Sequence, residues 1–146
     1  MRLNTRMRYG TRAMLELAMH YQEGAVSLSE VAASQVISDK YLESLFSSLR
    51  IAGLVRSQRG VQGGYVLARP PEQITLREIF NVLESPEPFV PCTHDHSTCH
   101  RWANCVTQEV WAQMFAASIH VLESITLADL VARSNERSAT TASYNI

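Results

Sequence analysis

The sequence predicts a mostly α-helical fold with a small β-hairpin wing: a winged helix-turn-helix followed by a long dimerisation helix. Three observations carry that expectation. Two helix signals lie only a few residues apart, around residues 35–37, which is a helix-turn-helix spacing. A glycine-rich turn, Arg59-Gly60-Val61-Gln62-Gly63-Gly64, follows them between two short strand-like runs. Beyond residue 103 an unbroken pair of apolar stripes fits one long helix covered on more than one side.

Residues 6–21 form the first helical pattern. Met7, Ala13, Met14, Leu17, Ala18 and Tyr21 stand mostly three or four apart, as a half-buried helix requires, and Gly24 ends it. Ser27-Leu28-Ser29-Glu30 is a capping box: the serine side chain accepts from the amide three residues on, and Glu30 reaches back. Val31, Ala32 and Val36 give this second helix its apolar face. A third helix starts at Ser38, with Asp39 in its first turn, where the helix dipole favours an anion. Leu42, Leu45, Phe46 and Leu49 are its buried stripe, and Gly53 closes it.

The period then changes. Residues 54–58 and 65–68 read as two strands of a hairpin, ended by Pro70-Pro71. Thr75-Leu76-Arg77-Glu78 is a second capping box, opening a helix through Glu84. Residues 85–91 contain three prolines and read as a stiff, non-helical connection. The long helix is expected from about Ala103 to about Ser124, a rod of about 30 Å. One stripe is Val106, Val110, Met114, Ala117 and Val121; the other is Trp111, Phe115, Ser118, Leu122 and Ile125. One is expected to pack on its own domain and the other on a second copy. Thr126 starts a short closing helix, and from Ser134 the polar chain is expected to be disordered. The division is residues 1–84 as a DNA-binding domain, 85–105 as a ligand loop, 103–133 as dimerisation and closing helices, and 134–146 as a tail.

With 146 residues, 46% hydrophobic and 18% charged, the chain has the profile of an ordinary soluble domain. No apolar run reaches the roughly 20 residues a bilayer span needs, so no membrane partner is expected. The N-terminus lacks an apolar signal core, which makes the cytoplasm the expected compartment. Residues 1–70 carry nine basic and five acidic side chains, net +4; residues 71–146 carry four basic and nine acidic, net −5. A basic half joined to an acidic half suits a nucleic-acid-facing module with a separate regulatory one. No nucleotide-loop, dinucleotide-fold or serine-nucleophile motif is present in the sequence, so no enzyme is expected.

All three cysteines, Cys92, Cys99 and Cys105, fall within one 14-residue stretch with His94, His96 and His100. Where thiols stay reduced, such a cluster points to metal or redox chemistry before disulfides. An iron–sulfur cluster wants thiolates and usually four anchors. Zinc held by three Cys and one His is the rival, and three unliganded thiols are the plain alternative. The fourth anchor is open among His94, His96, His100, Gln108 and Glu109. Either a two-iron or a four-iron cluster suits the spacing.

A recognition helix presents its N-terminal residues to base edges in the major groove. Here these are Ser38, Lys40, Tyr41, Glu43 and Ser44, with Arg50 further along the same polar face. Glu43 can accept from a cytosine amino group and otherwise repels phosphates, so it is expected to discriminate. Arg59 at the hairpin tip suits a narrow minor groove. Gly60 lets the turn approach the backbone, and Gln62 adds a polar contact. Asn4, Arg6 and Tyr9 are further candidates, for phosphates, which set register and not sequence. The plainer alternatives are a solvated helix face and an ordinary hairpin turn.

Met1-Arg2-Leu3, Arg8-Tyr9, Ser38-x-x-Tyr41-Leu42-Glu43-x-Leu45-Phe46-x-x-Leu49-Arg50, Gly53-Leu54-Val55 and Arg59-Gly60-x-x-Gly63-Gly64-Tyr65 together resemble the IscR/NsrR-type winged-helix repressor family. Ile125-Thr126-Leu127-x-Asp129-Leu130 resembles that family's closing helix. The resemblance covers about residues 1–131 and is nearer to IscR-type members. It implies a homodimeric transcription regulator, crossing through the long helix, on a palindromic double-stranded operator. Many members carry an iron–sulfur cluster on the loop before that helix; others are cluster-free and answer to a partner protein. It also implies that Glu43 takes part in cluster-dependent site choice. IscR-type members use a histidine three residues after the last cysteine, where this chain has Gln108. NsrR-type members use an aspartate near the N-terminus, where this chain has Arg8. The first cysteine spacing is one residue longer than usual, and the fourth ligand stays open.

Overall fold

Asn4 starts the first helix: its side-chain oxygen accepts from the Met7 N–H at 2.8 Å, satisfying one of the orphan donors of the first turn. The computed structural model describes residues 3–84, 90–93 and 95–143. Met1, Arg2, the proline-rich residues 85–89, His94 and residues 144–146, all used above, lie outside them.

Helix α1 (Thr5–Met19) buries Met7, Ala13, Met14, Leu17 and Ala18. Helix α2 (Leu28–Gln35) opens on the expected capping box: Glu30 N–H donates to Ser27 Oγ at 3.2 Å, and Ser27 N–H donates to the Glu30 carboxylate at 2.7 Å. Helix α3 (Asp39–Ile51) buries Leu42, Leu45, Phe46 and Leu49 completely. It ends at Gly53, whose φ of +74° is left-handed. There the Gly53 and Leu54 N–H groups return to the Arg50 and Leu49 carbonyls at 3.0 Å each, which is a Schellman closure.

Strands β1 (Val55–Gln58) and β2 (Gly64–Leu67) pair antiparallel, Val55 opposite Leu67 and Gln58 opposite Gly64. The segment before α2 joins this ribbon: Tyr65 N–H donates to the Val26 carbonyl at 2.8 Å, and Val26 N–H donates to the Tyr65 carbonyl at 3.0 Å. A Cβ at Gly64 would stand 2.3 Å from that Val26 oxygen, so the close approach requires glycine. The Tyr65 ring leans on Phe46 with centroids 4.6 Å apart. The wing is thereby attached to the recognition helix through one aromatic contact.

After a 3-10 turn (Pro71–Gln73), helix α4 (Leu76–Leu83) opens on the second expected capping box, Thr75 with Glu78. Arg69 reaches the same Glu78 at 2.6 Å. Helix α5 (Val106–Ser124) and helix α6 (Leu127–Ser143) complete the order. Leu76 N–H donates to the Ile125 carbonyl and Leu127 N–H to the Ile74 carbonyl, both at 2.9 Å. Leu127 is fully buried and α6 packs against α1. The closing helix is therefore part of the winged-helix core as well as the continuation of α5.

Three expectations need correction. The long helix begins at Val106, because Ala103 lies in a separate 3-10 turn, Trp102–Asn104. The closing helix runs past Ser134, where the sequence predicts a disordered tail, as far as Ser143. No glycine or proline interrupts residues 126–143, and the Ser138 and Thr140 hydroxyls bond back to the carbonyls of Ser134 and Glu136. Val36 is not on the apolar face of α2. It is 88% exposed and left-handed, with φ of +54°, while Ile37 beside it is buried. A β-branched residue in this region is strained by about 1–3 kcal/mol. Trp111, one turn before Phe115 on the same side of α5, is 39% exposed, more than the half-buried residues that follow it on that side.

The rest of the two-stripe pattern separates cleanly. Phe115, Ser118, Ile119 and Leu122 are half-buried on the domain side, with Ile119 and Leu122 packed on the core. Val106, Val110, Met114 and Val121 remain exposed on the other side. No helix among the described residues is long and apolar enough to cross a membrane.

Candidate nucleic-acid interface and cysteine loop

Helix α3 presents Ser38, Lys40, Glu43, Ser44 and Arg50 to solvent. Ser38 occupies the N-cap position but its side chain makes no cap bond, so its hydroxyl is not committed to the helix. Tyr41 is half-buried, edge-on to Tyr9 with centroids 6.0 Å apart. At the wing tip Arg59, Gly60 and Gln62 are exposed. Gly60 turns at φ +124°, and its carbonyl accepts from the Gly63 N–H at 3.0 Å. Helix face and wing tip are thus separate outward elements, joined through Phe46 and Tyr65.

The first-helix candidates have work inside the fold. Asn4 spends its side chain on the α1 cap, and its N–H donates to the Glu84 carboxylate at 3.2 Å. Arg6 donates to the Ser48 hydroxyl at 3.2 Å, tying α1 to α3. Tyr9 lies between Tyr41 and the Arg12 guanidinium, which is 5.8 Å from its centroid.

No signal in the sequence announces the group around Arg12. Its Nε donates to Gln35 Oε1 at 2.8 Å, and Nη2 donates to the Gln35 carbonyl at 2.9 Å. Gln35 Nε2 in turn donates to the buried Glu16 at 2.7 Å, as does the Ser34 hydroxyl at 2.8 Å. These partners stand 18 to 23 residues apart, beyond any local periodicity.

His20 lies next to this group, with Nδ1 2.8 Å from Glu23 and Nε2 3.6 Å from Glu16. The bond to Glu23 and the negative charges of Glu23 and Glu16 raise its pKa above the ordinary value near 6.5, against the lowering effect of burial. A raised folded-state pKa gives stability that is fully present below the unfolded pKa and is lost as pH rises through the folded one. The melting-temperature advantage of the wild type over His20→Gln is therefore expected to shrink as pH rises from about 6 to about 8. The effect is small, because both His20 and Glu23 are substantially exposed and solvent screens the pair. An advantage that grows over this interval would reverse the assigned sign.

The cysteines sit on consecutive short turns. Cys92 lies in the 3-10 turn Pro91–Thr93, Cys99 follows the turn His96–Thr98, and Cys105 is the N-cap of α5. All three are half-buried free thiols. The Thr107 hydroxyl, 3.3 Å from Cys105 Sγ, lowers that thiol's pKa first; the Gln108 and Thr107 N–H groups and the Arg101 cation add to it. A helix N-terminus favours a thiolate for the same reason. The His96 ring stacks on Trp102 at 3.7 Å. His100 and Glu109 are exposed, and Gln108 is half-buried. Among the described residues no three Cys, His, Asp or Glu side chains are grouped closely enough to hold a metal ion. The loop carries the expected thiols on one segment without converging them on one point.

A helix-turn-helix with a glycine-built wing, followed by a long helix with an uncovered apolar side, defines a winged-helix transcription regulator. Residues 3–133 match the Rrf2 family, described as an iron-dependent transcriptional regulator, and the chain belongs to that family. It is 43% identical over 131 residues to protein rrf2 of Nitratidesulfovibrio vulgaris, covering 90% of this chain and 87% of that one. Its fold is similar to that of CymR, the global cysteine regulator of B. subtilis, with a TM-score of 0.80 and 40% identity over 91% of this chain and 98% of that one. It is also similar to T. potens IscR, with a TM-score of 0.78 and 41% identity over 94% and 90%. The chain is a DNA-binding regulator and not an enzyme.

Proposed function

We propose that this chain is a homodimeric repressor whose binding to a palindromic double-stranded operator is controlled by an iron–sulfur cluster held by Cys92, Cys99 and Cys105. The observation that carries this reading is where the thiols stand: on the loop between α4 and α5, the last of them at the N-cap of α5. The donor chemistry fits the group. Three free thiols, one with its thiolate favoured by Thr107 and the helix terminus, are the soft anionic ligands such a cluster takes. A fourth donor is to be found among His94, His96, His100, Gln108 and Glu109. When bound, the cluster supplies iron–thiolate bonds sensitive to iron supply, oxidants and nitric oxide.

The chain's own residues connect that loop to DNA. Residues 90–105 lead into α5, whose domain side packs against α4. The uncovered side of α5 is proposed to cross a second copy. The spacing of two α3 helices and two Arg59 wing tips on an operator then depends on how α5 begins. The proposed division is residues 1–84 as reading head, 85–105 as sensor loop and 103–133 as coupling and dimer segment.

Protein purified without oxygen is expected to contain iron and acid-labile sulfide and to absorb at about 400 nm and above. Replacing Cys92, Cys99 and Cys105 with alanine is expected to remove all three signals and the operator's response to oxidants. Wild-type protein with neither iron nor sulfide would sink this reading. A second reading is then favoured by the CymR likeness: a regulator without a cluster, holding zinc or none, governed by thiol oxidation or a partner protein; the ungrouped thiols favour its metal-free form. Operator binding and response that survive loss of all three cysteines would select partner control.

A further inference from the structure

The turn between α2 and α3 is held in a conformation its own sequence does not favour. Val36 is left-handed at φ +54°, where a β-branched side chain is strained. Its side chain is 88% exposed, so no packing of Val36 itself compensates the strain. On the far side, Ile37 is buried and its N–H donates to the Ala32 carbonyl at 3.1 Å. On the near side, the grip comes from α1. Arg12 holds Gln35 by both its side chain and its carbonyl, through two different nitrogens at 2.8 and 2.9 Å. Glu16, itself buried, holds Ser34 and the Gln35 amide at 2.8 and 2.7 Å. Helix α1 touches α3 as well, through Tyr9 on Tyr41 and Arg6 on Ser48.

We propose that Arg12, backed by Glu16, is a positioning residue that fixes the α2–α3 turn and so the angle at which α3 meets DNA. The inference rests on α3 being the helix that reads the operator. Strain in an exposed turn persists only where its surroundings over-determine it, and here Arg12 is the outer member of that restraint. Its guanidinium offers a rigid fork that an ammonium lacks, and one planar group bonding two acceptors of Gln35 fits that use. Releasing it lets the turn relax and gives α3 several orientations. Sequence-specific contacts then suffer, while charge-driven contacts to phosphates do not.

The alternative role for an exposed arginine is a direct phosphate contact, and salt dependence separates the two. The full chain, prepared without oxygen, is titrated against a duplex recovered by binding-site selection from a random library, and against a scrambled duplex. Arg12→Ala and Arg12→Lys are both expected to weaken binding to the selected duplex by roughly tenfold, the size expected for loss of charge-assisted bonds. Affinity for the scrambled duplex and the slope of log affinity against log salt stay at wild-type values. Combining Arg12→Ala with Gln35→Ala is expected to cost much less than the product of the two single effects, since the residues act as one unit. Thermal melts confirm that each variant is folded.

A salt slope shallower by about 1 in Arg12→Ala, with Arg12→Lys at wild-type affinity, would mark a phosphate contact and overturn the proposal. Fully multiplicative effects of Arg12 and Gln35, or wild-type affinity in Arg12→Ala, would overturn it too. A wild-type chain that treats both duplexes alike, or changes at Lys40 and Glu43 that leave selected-duplex binding intact, would instead remove α3 as the reader, and the inference with it.

Discussion

Phe46→Ala is expected to lower the unfolding free energy by about 3–5 kcal/mol, the usual range for emptying a buried aromatic site. For a chain of this size that is a fall of roughly 10 °C in melting temperature. Phe46 has no exposed surface and stands in the middle of the buried stripe of α3, with Leu42, Leu45 and Leu49. Its second neighbour is the Tyr65 ring of β2, at 4.6 Å between centroids. The cavity therefore opens between the recognition helix and the wing. Collapse into it would pull β2 toward α3 and shift Arg59, so operator affinity falls further than stability alone requires. Phe46→Leu conserves most of the volume and is expected to cost less than about 1.5 kcal/mol. A denaturant titration of both variants checks this. A melting temperature for Phe46→Ala within a degree or two of wild type would mean that Phe46 is not the packing centre described here.

The parts of this fold that were legible in the sequence are those whose chemistry is local. Ser27 with Glu30, and Thr75 with Glu78, announce helix starts because the bonding partners are three residues apart. Gly53 announces a helix end because a left-handed residue is needed there. The stripe Leu42-Leu45-Phe46-Leu49 shows its buried face through spacing alone. Val36 fails the same test: valine carries no left-handed preference, so its apolar character suggested the face of α2 and concealed a strained turn. The last turns of α6 were missed for the opposite reason. Polar composition from Ser134 onward suggests disorder, yet it neither breaks the helix nor removes the hydroxyl-to-carbonyl bonds of Ser138 and Thr140.

At the candidate site the division is similar. Lys40, Glu43, Ser44 and Arg59 were legible as outward residues of a helix and a turn, and they are exposed. Asn4 was legible as a polar residue near the N-terminus, but its oxygen is occupied by the Met7 N–H. The bonds among Arg12, Gln35, Glu16 and Ser34 are tertiary and could not be read from any window of sequence. The cysteine spacing shows which residues share a loop. It does not show whether their side chains meet at one point, and among the described residues no three such donors are grouped closely enough to hold a metal ion.

In the proposed homodimer, the uncovered side of α5 decides whether the molecule works as one reading head or two. Val110 and Met114 are both half-exposed, and with exposed Val106, Ala117 and Val121 they stand at the three- and four-residue intervals that make a continuous stripe on a helix. Burying such side chains against a second copy contributes about 1.5–3 kcal/mol each when burial is complete. A charge placed in that seam loses its hydration without gaining a partner, which costs several kcal/mol more. Val110→Glu combined with Met114→Glu is therefore expected to convert a dimer into a monomer, read by sedimentation at micromolar concentration. The protomer itself should stay folded, since Phe115, Ile119 and Leu122 on the domain side are untouched. Two linked half-site contacts become one, and linkage of this kind is worth about a hundredfold or more. Affinity for a palindromic duplex is expected to fall by at least that factor, while binding to an isolated half-site changes little. A double variant that still sediments as a dimer would place the partner copy on another face, and the exposed stripe of α5 would then need a different occupant.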